Sequence, residues 1–193
     1  MSDRPLVLAS ASPRRADLLR QAGIVFTTAA ADLDETPRPG EAPAAYVRRL
    51  AEEKAAAVAR RHPEAVVLGA DTTVVVDGDI LGKPADAAEA TAMLQRLQGR
   101  AHEVLTGVAV TSAAGTDSEV AATTVWVAPM SAAEIAAYVA SGEPMDKAGA
   151  YAIQGRISRW ITRIDGSHPN VVGLPVAVVH ALLARHGKGV RRG

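Results

Sequence analysis

Val66-Val67-Leu68-Gly69-Ala70-Asp71-Thr72-Thr73-Val74-Val75-Val76-Asp77-Gly78-Asp79-Ile80-Leu81-Gly82-Lys83 is the stretch on which the fold turns. Its long apolar run reads as a buried strand, and Asp77-Gly78 between apolar segments is the sequence pattern of a type I′ hairpin turn. Ile80 and Leu81 then return beside the first strand. Asp71 stands out within that run, because aspartate is depleted in strands and burying its ionised form is costly without a cation or several donors. Two readings stand side by side: a buried acid with Lys83 as a neighbouring base, or a strand-kinking acid beside an ordinary solvated lysine.

Outward from the hairpin, Leu6 to Ala9 reads as a short buried strand. Ser10, Ala11 and Ser12 lead into Pro13, the preferred first residue of a helix that runs to about Ala22 and stops at Gly23. Arg14 and Arg15 in its first turn oppose the helix dipole by about 0.3–1 kcal/mol each. That cost vanishes if an anion occupies the helix N-terminus. The serines and arginines are therefore either an anion cradle or a solvated surface. Phe26 to Thr28 suggests another strand, followed by a loop bearing Asp32, Asp34 and Glu35, which are candidates for a hard divalent ion or plain loop charge. A helix from Pro43 to about Arg61 carries Tyr46, Val47, Leu50, Ala51, Lys54 and Val58 at helical spacing; Lys54, on or beside the apolar stripe, is either a snorkelling lysine whose amine reaches water or a phosphate contact.

Downstream, Asp86 and Glu89 start a helix ending near Leu97, with Gly99 as its stop. His102–Thr111 and Glu119–Ala128 read as an antiparallel pair around Gly115, and Ser131 with Glu134 makes a capping box for a helix ending near Gly142. Asp146 to Gly155 is dense in small and polar residues, its glycines suiting either turns or close approach to a ligand. Ile157 to Ile164 reads as a strand, and Asn170 to Pro175 leads to a final helix through about Ala184. Gly187 to Gly193 is expected to be a frayed basic tail. Strands mixed with helical crossovers predict an α/β or α+β fold with a mixed sheet.

The 193 residues, 48% of them hydrophobic, suit a single domain with a full core. Basic and acidic residues balance at 21 each, which argues against nucleic acid or a membrane surface as partner and leaves a small anion. The absence of cysteine excludes disulfides, zinc thiolates and cysteine nucleophiles. Charges at Asp3, Arg4, Arg14 and Arg15 break up the N-terminal apolar segment, so neither a signal peptide nor an anchor is expected, and the expected location is the cytoplasm. No serine, histidine and acid set carries a recognisable nucleophile motif. Asp71 and Glu35 as oxygen ligands, with Arg14, Lys54 and Lys83 on phosphates, would compose a Mg²⁺-assisted phosphoanhydride site.

Four segments carry a resemblance: Leu8-Ala9-Ser10 with Ser12-Pro13-Arg14-Arg15; Asp71-Thr72 with Lys83-Pro84; Asp146-Lys147-Ala148-Gly149-Ala150-Tyr151 with Gln154-Gly155; and Val172-Gly173-Leu174-Pro175. Arg49-Leu50-Ala51 and Lys54-Ala55 add to them. Together, in this order, they resemble the Maf family of nucleoside triphosphate pyrophosphatases. The resemblance implies a Maf and inosine-triphosphatase-like fold, a mixed, partly antiparallel twisted sheet flanked by helices, as one domain of two lobes around a nucleotide-binding cleft. It implies cleavage of a nucleoside triphosphate to monophosphate and pyrophosphate with Mg²⁺ or Mn²⁺, and a homodimer as a family-level expectation. Asp71 matches the family's proton acceptor, with Glu35 beside it for the metal. Arg14, Thr72 and Gln154 match its specificity positions, and Ser10, Ser12, Arg15, Lys54, Lys83 and Lys147 fall to the phosphates. Arg14 after Ser-Pro and Gln154 before Gly155 resemble the branch acting on dTTP and UTP. The alternatives are the branch acting on 7-methyl-GTP and a nucleotide-sensing regulator of septum formation.

Overall fold

The computed structural model describes residues 4–188. The basic residues Arg191 and Arg192 of the expected tail lie outside them. Seven strands form one mixed sheet: β1 (Leu6–Leu8), β2 (Thr27–Thr28), β3 (Val66–Val76), β4 (Asp79–Leu81), β5 (Ala101–Ser112), β6 (Gly115–Val127) and β7 (Ile161–Asp165). The order is β2-β1-β3-β5-β6-β7, with β4 paired to β3 off this path. Six α-helices accompany them: α1 (Pro13–Gln21), α2 (Pro43–Ala59), α3 (Ala87–Leu97), α4 (Ala132–Ala140), α5 (His168–Val172) and α6 (Val176–Arg185).

The chain makes two compact units. Within the described residues the first comprises 4–71, 106–121 and 173–188, and the second comprises 72–105 and 122–172.

In the first unit β1 runs parallel to both β2 and β3, with Val7 opposite Thr27 and Val67. The core here joins Val7, Ala9, Ala51, Ala55, Val58, Ala65, Val67 and Ala109. Its small side chains follow from how close α2 lies to the strands. A Cβ added at Gly69 would stand 2.2 Å from the Ala51 carbonyl oxygen and 2.8 Å from the Ala55 nitrogen. One added at Gly107 would stand 2.1 Å from the Val47 carbonyl oxygen. The helix backbone therefore rests on two glycine seats, with no side-chain layer between. Because side chains alternate along a strand, Ala65, Val67, Gly69 and Asp71 share the face that looks at α2.

In the second unit β3 and β4 pair antiparallel, Val74 opposite Leu81 and Val76 opposite Asp79. Asp77 and Gly78 both have positive φ, 54° and 83°, as a type I′ turn requires. The hairpin end is braced by Arg100 on both Asp77 carboxylate oxygens at 2.6 and 3.0 Å and by Arg96 on Asp79 at 2.8 Å. Asp86 caps α3 through the Glu89 amide at 2.8 Å, and Ser131 with Glu134 closes a capping box on α4. One expected strand starts late: residues Arg156–Trp160 form a 3₁₀ turn, and only Ile161–Asp165 pair with β6, with a shift of register at Trp126/Val127. The segment before the final helix is itself helical, as α5.

Gly69→Ala and Gly107→Ala should each lower the unfolding free energy measured in urea by about 2 kcal/mol or more, because the new methyl meets backbone that cannot move aside. Gly82→Ala, with open space around it, should stay within about 0.5 kcal/mol of the parent. Equal stability of all three would remove the role assigned to the glycine seats.

Candidate functional site

The same close approach that excludes a side chain at Gly69 fixes what happens two residues later. Asp71 follows Gly69 on the α2-facing side of β3, and Lys54 follows Ala51 by nearly one helical turn. Their side chains meet with Lys54 Nζ 2.7 Å from Asp71 Oδ1, the two residues buried to 7% exposure each. Lys54 Nζ lies at the same 2.7 Å from Glu35 Oε1. One ammonium thus bridges two carboxylates. A lysine beside an apolar stripe can snorkel to water, and the structure turns Lys54 inward onto the two carboxylates instead.

Glu35 belongs to the loop between β2 and α2, and its side chain is half-exposed. Its backbone is held by Tyr46, whose hydroxyl donates to the Glu35 carbonyl at 2.9 Å. Burial pushes the Tyr46 phenol up to about 12, so it remains a donor at neutral pH. The same loop is tied to α2 by Arg49, bidentate on Glu41 at 2.6 and 2.7 Å and donating to the Thr36 carbonyl at 3.4 Å. Asp34 spends a carboxylate oxygen on the Thr36 amide at 2.9 Å, so that loop acid shapes the turn. Tyr46 had appeared in the sequence only as one more apolar member of a helical stripe; no local pattern reveals which carbonyl its hydroxyl will find.

Before α1, Ser12 caps the helix through the Arg15 amide at 3.5 Å, a long bond. Ser10 Oγ accepts from the Ser12 amide at 3.1 Å and from the Arg15 guanidinium at 3.3 Å. Arg15 Nε donates to the Gly173 carbonyl at 2.8 Å. The guanidinium is so held from two sides. Burial presses the Arg15 guanidinium below its ordinary range, opposed by the Asp71 carboxylate. Arg14 is half-buried in the first turn of the same helix.

The Asp71 carboxyl is raised above its ordinary value of 3.8, first because burial penalises the charge, with Lys54 and Arg15 pulling the other way and Glu35 adding to the rise. Ser10, Ser12, Arg15, Glu35, Lys54 and Asp71 all belong to the first unit. Thr72, Lys83, Lys147 and Gln154 belong to the second. Thr72 is half-buried, Lys83 and Gln154 are exposed, and Lys147 Nζ pairs with the Asp146 carboxylate and donates to the Glu143 carbonyl at 3.2 Å. Among the described residues no helix is long and apolar enough to cross a membrane.

Among the described residues no three His, Cys, Asp or Glu side chains gather as a metal cage. The donors that converge are the two carboxylates on Lys54, both hard oxygen ligands, and Mg²⁺ commonly takes one or two carboxylates and fills its shell with phosphate and water. The residues present fit such an ion.

The family model described as Maf-like protein matches residues 5–186. A Myxococcus xanthus protein named dTTP/UTP pyrophosphatase is 57% identical over 184 residues, covering 94% of this chain and 92% of the relative. A protein of the same name from Symbiobacterium thermophilum is 54% identical over 185 residues, covering 94% of each chain. A third, from Koribacter versatilis, is 51% identical over 182 residues, again covering 94% of each.

The raised Asp71 carboxyl sets a stability test. Between 3.8 and its folded value the native chain holds a proton that the unfolded chain has released, so the stability Asp71 contributes is full below 3.8 and lost as pH rises through the folded value. Asp71→Asn should therefore fold and show a flatter dependence of urea midpoint on pH between 4 and 7 than the parent. A variant less stable at pH 7 and more stable at pH 4 than the parent would reverse the sign.

Proposed function

This chain belongs to the Maf family, and from that premise we propose that it hydrolyses dTTP and UTP to the monophosphate and pyrophosphate, as the names of its relatives describe for them. The observation that carries the reading is the single ammonium of Lys54 drawn between Asp71 and Glu35 at 2.7 Å from each. It supports a place where acids and bases are gathered around a small, highly charged ligand, without any covalent nucleophile.

Asp71 serves as the proton acceptor. Oδ1 is committed to Lys54, so the proton of the attacking water passes to the other carboxylate oxygen. The water oxygen bonds to phosphorus as the bridging P–O bond between the α and β phosphates breaks, and the electron pair leaves with pyrophosphate. A base whose pKa is lifted toward the working pH is the more effective for it. Lys54 keeps the acid oriented, and Arg15, held by Ser10 and the Gly173 carbonyl, is the cation assigned to phosphate. Arg14 and Ser12 add a cation and a hydroxyl to that set, and Lys83 and Lys147 are assigned to phosphate on the resemblance of their motifs. Thr72 and Gln154 read the base, the Gln154 amide both donating and accepting as a pyrimidine edge requires. Glu35 and Asp71 would hold a divalent ion, Mg²⁺ or Mn²⁺, which when bound offsets charge on the triphosphate.

The purified protein with Mg²⁺ or Mn²⁺ should release pyrophosphate from dTTP and UTP at least tenfold more efficiently than from CTP, ATP or 7-methyl-GTP, the last being the alternative substrate. Asp71→Asn should lose on the order of 10²–10⁴ in kcat and with it the acidic limb of the pH profile, which in the parent lies above the ordinary aspartate range. Nucleotide binding without turnover on any of the panel would instead favour the sensing role.

A further inference from the structure

In the second unit a carboxylate outside the set above takes the place where a side chain would otherwise stand. Glu143 opens the 3₁₀ turn Glu143–Asp146 after Gly142, whose φ is 75°. Its carboxylate accepts the Arg156 amide at 3.0 and 3.2 Å and the Tyr138 hydroxyl at 2.8 Å. A Cβ on Gly155 would lie 1.9 Å from Glu143 Oε1 and 2.4 Å from Cδ. Gly155 has extended backbone, with φ −96°, so glycine is needed here for space and not for conformation. The carboxylate is laid flat against the peptide that follows Gln154.

The other end of that peptide turn is held too. The Gly155 amide donates to the Ala152 carbonyl at 2.8 Å, closing the turn Ala152-Ile153-Gln154-Gly155. The Ala152 amide donates to the Tyr138 hydroxyl at 3.4 Å, and that same hydroxyl donates to Glu143. Burial and the Glu143 hydrogen bond hold the Tyr138 phenol well above its ordinary range, so it keeps the proton it donates. Ile153 is buried and Gln154 is exposed at the tip. Tyr138 and Glu143 therefore grip one four-residue turn at both ends and leave the side chain of Gln154 as what it presents.

We propose that Glu143, together with Tyr138, is a positioning residue that sets base selectivity by fixing the turn that carries Gln154. The proposal rests on the reading of Gln154 as a base-recognition residue. Glu143 touches no reacting atom. It fixes the direction in which the Gln154 amide points, so its loss falls on recognition of the base and spares the phosphate chemistry of Asp71 and Lys54.

Glu143→Ala should raise KM for dTTP and UTP roughly tenfold, change kcat by less than about threefold and shrink the preference for pyrimidine over purine triphosphates by roughly tenfold. Glu143→Gln, whose side-chain oxygen still accepts from Arg156, should keep most of the preference. Tyr138→Phe should show the same shift more weakly. Gln154→Ala and the Glu143→Ala, Gln154→Ala double variant should match each other, since the two residues act through one turn. Hydrogen exchange supplies a readout free of activity: the Arg156 amide should exchange at least tenfold faster in Glu143→Ala, with circular dichroism unchanged. Losses that multiply in the double variant, an equal fall in kcat on every triphosphate, or unaltered selectivity with a loosened Arg156 amide would each overturn the proposal. Should Glu143→Ala fail to fold, unaltered selectivity in Tyr138→Phe would overturn it. A parent protein that turns over no triphosphate marks failure of the functional reading instead, and accelerated exchange at Arg156 still reports the grip itself.

Discussion

The absence of two Cβ atoms governs this molecule more than any single attraction. Gly69 and Gly107 let the backbone of α2 settle directly on β3 and β5, at distances where any other residue would collide with a peptide group. A helix that close to a sheet cannot carry large side chains at the contact, and alanines at 51, 55 and 109 fill it. The same helix carries Lys54, whose Nζ lies 2.7 Å from Asp71 Oδ1. Neither charge could stay buried without the other. Packing and electrostatics meet on one strand face, where Gly69 and Asp71 stand two residues apart.

How much of this could be read beforehand depends on the range of the interaction. Asp71 was visible because a charged residue in an apolar run violates a local preference. Asp77-Gly78 was visible because its backbone, with both φ values positive, is written in two adjacent residues. The capped starts of α3 and α4 follow from side chains three residues apart. The glycine seats were not legible: a glycine inside a strand signals a bulge, a bend or a close approach without saying what approaches. The late start of β7 escaped as well, because Arg156–Trp160 has the apolar and aromatic residues of a strand while its first amide is captured by Glu143, thirteen residues back. The inward turn of Lys54 depended on an acid seventeen residues away in the chain.

Long-range pairing also produced a constellation that no local pattern announces. Ser112 Oγ lies 2.7 Å from His186 Nδ1, and His186 Nε2 lies 3.1 Å from Asp117 Oδ2, off the line of the ring N–H. In outline it is a serine, histidine and acid set. The serine oxygen, however, already accepts the Ala114 amide at 3.1 Å, and the residues lie where the β5–β6 connection meets the end of α6. Hydrogen bonding of this kind fastens a helix terminus to a hairpin.

The two acids that share Lys54 are mounted differently. Asp71 is built into a strand with hydrogen-bonded neighbours, and its side chain is 10% exposed. Glu35 hangs from a loop by a phenol hydroxyl, and its side chain is 50% exposed. Mounting on a strand in one case and on a loop in the other thus gives the lysine one enclosed partner and one open to solvent.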